Sequence, residues 1–127
     1  MKNKDKKDIK STHPSAWHRH TIQHVNTLMY YDGVQLFDAQ DSSGKYYVAI
    51  NNTSNDLITQ HDEYIVIEVV LEDLEKFREG LIDSGTLLDS RPSSVWFLAR
   101  FVNDLAAPIV IEAQTSPLPA FPRGVIL

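Results

Sequence analysis

The 127-residue chain contains no cysteine. That excludes disulfide frameworks, thiol catalysis, iron–sulfur clusters and cysteine-based zinc sites, and it agrees with a cytoplasmic location. Glycine is scarce, at five residues, so there is little material for a phosphate-cradling loop, and no Gly-x-Ser-x-Gly elbow is present. No apolar run approaches the roughly 20 residues that span a bilayer, and the first residues lack the apolar segment of a secretion signal. A soluble chain with no membrane partner and no cofactor is therefore expected.

Positive charge is short everywhere except at the start. The formal net charge is −5, yet MKNKDKKDIK carries five lysines and two aspartates, leaving seven basic and fifteen acidic groups in residues 11–127. An acidic body meets a phosphate backbone poorly, which favours a protein partner or homo-oligomer over nucleic acid. Residues 1–10 read as a disordered basic tail; the alternative, an arm that touches nucleic acid, is weakened by the two aspartates among the lysines.

What is present is 43% apolar, enough to fill a core. One domain is expected over 11–114, with a Pro-rich extended arm at 115–127. SerThrHisPro at 11–14 resembles a helix start, and turning residues through 100° each gathers Trp17, Ile22, Val25, Leu28 and Met29 into one arc, which predicts an amphipathic N-terminal helix. From Leu28 the pattern becomes LMYY, Asp32-Gly33, VQLFDA, AspSerSerGly at 41–44 and KYYVAI, a three-stranded meander over 28–50. NNTSNDLITQHDE reads as a loop.

YIVIEVV at 64–70 predicts a central strand, followed by a main helix over 72–79 with Leu71, Leu74, Phe77 and Leu81 on one face and Gly80 as a left-handed cap. LIDSGTLLDS suggests a turn and a short second helix, SVWFLARF a strand, and PIVIEAQ a last strand or an extended arm. In SPLPAFPRGVIL, the residues Leu118, Phe121, Val125, Ile126 and Leu127 require cover, from the body or from a partner. The expected fold is α+β: an antiparallel sheet of about five strands, the 72–79 helix on one face and the N-terminal helix nearby. Its expected core is Leu36, Phe37, Val48, Ile50, Ile65, Ile67, Val69, Leu74, Phe77, Val95, Phe97 and Leu98.

Four of the five histidines, His13, His18, His20 and His24, fall within HPSAWHRHTIQH. On a helix His20 and His24 stand one turn apart and converge as a metal pair does, with a third ligand drawn from His61, Asp62 or Glu63. Thr21 occupies the place where the zincin pattern needs glutamate, and His18 falls on the apolar arc. Asp62, Glu63, Glu68, Glu72 and Asp73 offer a second metal chemistry, of the nuclease type, but Glu68-Val69-Val70 lacks the lysine such sites use. A metal-dependent hydrolase or nuclease is thus one alternative reading, and a nucleic-acid-binding module that uses the lysine tail and the outer tyrosines is another. The tandem pairs Tyr30, Tyr31 and Tyr46, Tyr47 must each send one ring outward, where it serves as an anchor for a protein partner or as half of an ordinary cross-strand pair.

YYDGVQLFDAQDSSGKYYVAI, followed by YIVIEVVLEDLEKFREGLID, resembles a small family of bacterial and phage domains of unknown function, over about residues 28–100. The shared features are the Asp-Gly turn, the second Gly turn before Tyr-rich residues, and a strand-helix unit ending in Gly and Ile-Asp. The resemblance carries no activity and no catalytic residue. It implies a small module of a multi-component bacterial or phage system, with defence or counter-defence among the roles it suggests. With the partner-binding candidates Tyr30, Tyr31, Tyr46, Tyr47, Leu118 and Phe121, the leading expectation is a non-enzymatic protein-binding accessory or inhibitor module.

Overall fold

A computed structural model describes residues 19–52 and 62–127. The basic tail, the helix start at 11–14, Trp17, the histidines at 13, 18 and 61, and most of the 51–63 loop lie outside the described residues. Among these described residues, six strands and two short helices follow in the order β1 (Arg19–Tyr30), β2 (Val34–Asp41), β3 (Tyr46–Asn51), β4 (Asp62–Val69), α1 (Leu71–Arg78), α2 (Ser84–Asp89), β5 (Trp96–Val102) and β6 (Ile109–Gln114). Each strand pairs antiparallel with the next, and β6 returns to β1 through Arg19–Ile22 against Ile109–Glu112, closing a barrel.

The closed barrel replaces the expected α+β sheet of about five strands with a packed main helix and an N-terminal helix. Residues 19–30 form its longest strand. The helical arc through Ile22, Val25, Leu28 and Met29 is an effect of irregular pairing: the register of β1 on β2 shifts between His24 and Asn26 and again between Thr27 and Met29. Each shift places an extra residue, Val25 and then Leu28, so the two-residue alternation of a strand is broken and its apolar residues drift to a helix-like spacing.

The turns form where the sequence places them. Asp32 and Gly33 both have positive φ, 51° and 112°, the region that aspartate tolerates and glycine favours. Gly80 ends α1 at φ 74°, with its N–H donating to Phe77 O and that of Leu81 to Lys76 O.

Two layers of apolar side chains share the barrel wall. Inside lie Ile22, Phe37, Ala39, Tyr47, Ala49, Tyr64, Val66, Ala99, Ile109 and Ile111, with Phe97 against them. Outside, Leu36, Val48, Ile65, Ile67, Val69 and Trp96 meet Leu74 and Phe77 of α1, Leu87 and Leu88 of α2, and Phe121 of the C-terminal arm. Adjacent residues such as Leu36 and Phe37 are therefore both buried, one under the helices and one in the lumen, and β2 and β4 each carry a run of four buried residues. Val95, expected in the core, is 39% exposed, while its neighbour Trp96 is buried and donates from Nε1 to Ser116 O.

Asp38 is fully buried beneath α1, where it accepts from Arg78 Nε at 2.8 Å and from the Asn26 backbone N–H at 3.0 Å. This pair fixes the end of α1 to β1 and β2. The arm docks on its own chain: Ser84 Oγ donates to Pro122 O at 2.7 Å, Ser84 N–H to Val125 O at 3.0 Å, and Arg123 forks onto Asp89 at 3.1 and 2.7 Å.

Candidate functional site

A polar chain that reaches into the barrel begins at Asp41, the last residue of β2. Its Oδ1 accepts from the Ser43 N–H at 2.9 Å, the Ser43 hydroxyl at 2.7 Å and the Lys45 N–H at 3.0 Å, so one oxygen organises the β2–β3 turn. Its Oδ2 accepts from the Tyr47 hydroxyl at 2.7 Å. His20 Nε2 lies 3.1 Å from that hydroxyl and 3.8 Å from Asp41 Oδ2. Because Tyr47 gives its proton to Asp41, its oxygen is free to accept from a protonated His20 Nε2.

Burial works against ionisation of Asp41, but the hydrogen bonds from Ser43, Tyr47 and the turn amides outweigh it and bring the carboxyl down to about 2. Burial is also the first cause that pushes the Tyr47 hydroxyl well above the usual tyrosine range, reinforced by Asp41 and by the charge of Glu68. Tyr47 is accordingly a fixed neutral donor. A hydroxyl held in that state serves poorly as a general acid or base near neutral pH. Farther along the lumen Tyr64 donates to Val34 O at 2.9 Å, and burial with the nearby Asp62 charge raises it to about 12.

His20 and His24 both point inward but do not converge. Four residues along a strand separate them by roughly 13 Å, whereas one helical turn would have brought them together. Each has its own surroundings: His20 packs on Tyr47 and on the edge of Phe97, and His24 packs on Phe37 with Nε2 2.8 Å from Thr27 Oγ1. Of the acidic residues, Glu72 pairs with Lys76 on the exposed face of α1 at 3.6 Å, while Asp62 and Glu68 sit at opposite ends of β4. Among the described residues, no three His, Asp or Glu side chains gather as metal ligands.

The tyrosine pairs separate by role. Tyr46 is half-buried against the helix-side core and Tyr47 is in the lumen. Tyr30 and Tyr31 are 73% and 78% exposed at the tip of the β1–β2 hairpin. That tip is braced by the Tyr31 N–H donating to Gly33 O at 2.9 Å and by Gln35 Nε2 donating to Tyr31 O at 2.7 Å. Leu118 and Phe121 fill the seam between the arm and the helix-side core. The chain His20–Tyr47–Asp41 was not read from sequence as a unit; the sequence signal for it was the AspSerSerGly turn, which marks one oxygen of Asp41 and is silent on the other.

No helix among the described residues is long and apolar enough to cross a membrane. No protein-family model matches the chain, and neither does a curated protein or a solved structure.

Proposed function

We propose that this chain is a non-enzymatic protein-binding module, an accessory or inhibitor component of a bacterial or phage multi-component system of the defence or counter-defence kind, working in the cytoplasm. The observation that carries the reading is the pair Tyr30 and Tyr31, three-quarters exposed on a braced hairpin tip. Tyrosine contributes large contact area at small entropic cost and is enriched among the anchors of protein interfaces. Two adjacent rings left in water on a stiff support match that use, and nothing in the barrel packing requires them.

The interior supports the same reading. Phe37, Tyr47, Tyr64 and Phe97 fill the lumen with contacting rings, so the barrel works as a scaffold whose outer features meet a partner, either another protein or a second copy. The test is affinity capture from bacterial cells with the full chain and with a Tyr30→Ser, Tyr31→Ser variant, followed by reconstitution with the purified captured protein. A partner that binds the native chain and is lost with the double variant supports the proposal; equal binding by both would overturn the role of the tip.

A further inference from the structure

Among the described residues, the barrel wall is covered unevenly. The helices and the C-terminal arm pack on the outside of β2 to β4, on Trp96 and Leu98 of β5 and on Leu28 and Met29 of β1, whereas the outer face of β6, with Arg19 of β1 and Arg100 of β5 beside it, is exposed. There a recess of about 240 Å³ is lined by Arg19, Leu98, Arg100, Val110 and Glu112. Strand register builds it. Arg19 pairs with Glu112 and Glu112 with Leu98, giving one row across three strands, and Val110 and Arg100 follow two residues farther along β6 and β5.

The floor is apolar and the rim is cationic. Leu98 is the edge of the helix-side core, half-buried, and Val110 is 48% exposed. Among the described residues, no ion pair or side-chain hydrogen bond engages the guanidinium of Arg19 or Arg100. Two arginines and one glutamate make this surface locally positive on a body in which residues 11–127 hold fifteen acidic groups against seven basic ones. Arginine prefers carboxylates in forked geometry, and the two rim positions lie roughly 12 Å apart by strand spacing and rise. An extended segment with carboxylates at its first and fifth residues and an apolar side chain at the third, all on one face, matches that span.

We infer that this exposed face of β6 and its neighbours is a second docking surface, which takes an extended acidic segment of a protein partner, its carboxylates on Arg19 and Arg100 and an apolar side chain on Leu98 and Val110. The inference rests on the reading of the chain as a protein-binding module and adds the chemistry of what it binds. Opposed charge gives such a contact its specificity and its sensitivity to salt. The acidic body disfavours a nucleic acid on the same face.

The test is titration of the full chain with a short peptide of the pattern Glu-Ser-Leu-Ser-Glu, which in extended form puts both carboxylates and the leucine on one face, followed by amide NMR. The expected result is shifts at Arg19–Thr21, Leu98–Arg100 and Val110–Glu112, binding that weakens as salt rises, and a loss of at least about tenfold in affinity in an Arg19→Glu, Arg100→Glu variant. Both positions are exposed, so the variant keeps its fold. Absence of binding, shifts confined to the Tyr30–Val34 tip, equal binding of the same peptide with lysine in place of each glutamate, or equal binding of oligothymidine at this face would each overturn the inference. Its failure is distinguishable from that of the module reading: the tyrosine variant tests capture at the tip, and the arginine variant tests peptide binding on the wall.

Discussion

The Tyr47 hydroxyl donates to Asp41 Oδ2 at 2.7 Å while Asp41 Oδ1 holds the β2–β3 turn, so one carboxylate ties a surface hairpin to the barrel interior. Tyr47→Phe removes the donor and leaves a largely buried carboxylate oxygen and His20 without it. The expected loss is about 1.5–3 kcal/mol of stability in urea unfolding, with the native sheet signal kept. An unchanged midpoint would show that water replaces the hydroxyl freely.

Acid should expose the same carboxylate. Asp41 titrates at about 2 in the folded protein against an ordinary 3.8, so its folded value is depressed. Its contribution is present above about pH 4 and is lost as pH falls through 2. Thermal unfolding followed from pH 5 to 2 should therefore show a steeper acid decline for the native chain than for Asp41→Asn, which starts less stable; parallel curves would assign the acid sensitivity elsewhere.

How much of this was legible beforehand depends on locality. The hairpins at Asp32-Gly33 and 41–44, the apolar β4, both helices and the β5 strand are written in short-range patterns, and they stand within a residue or two of where those patterns put them. Barrel closure is different, because Arg19–Ile22 pairs with residues some ninety positions away and no local pattern records a seam. The bulges at Val25 and Leu28 hid β1 by giving it a helix-like spacing, although Thr21, Ile22, Val25 and Thr27 are β-branched residues suited to a strand. For the candidate sites, exposed tyrosines could be located only to a pair: alternation says that one ring of Tyr46 and Tyr47 turns inward, but not that its hydroxyl meets Asp41.

Arg78 and Asp38 form the pair that fixes α1. Asp38 is fully buried, so Arg78→Met strands a carboxylate and is expected to cost about 3–5 kcal/mol in chemical denaturation. Asp38→Asn in the same background should recover part of the loss, since it removes the buried charge. No recovery would mean that Arg78 acts mainly by packing.

The C-terminal arm belongs to the fold. Phe121 is 7% exposed among Leu87, Leu88 and their neighbours, so Phe121→Ala is expected to lower stability by about 3 kcal/mol or more, read as a fall in the unfolding midpoint. Ile126→Ser, at a side chain 59% exposed, should stay within about 0.5 kcal/mol of native. Equal effects would contradict docking of the arm through Phe121.

The tip should behave in the opposite way. Tyr30→Ser with Tyr31→Ser is expected to leave stability within about 0.5 kcal/mol while removing partner binding, because both rings are exposed and neither belongs to a core cluster. Isothermal titration with the captured partner and urea unfolding of the same samples separate the two effects; a stability loss matching the binding loss would point to a structural role.

Hydrogen exchange of the full chain with and without its captured partner tests the central claim most directly. Protection gained over residues 28–34, with exchange in the lumen-lining strands β3 and β4 unchanged, is the result expected of a rigid barrel that binds through its surface. Protection gained instead around His20, Asp41 and Tyr47, with the tip unaffected, would contradict it and move the working site to the barrel interior.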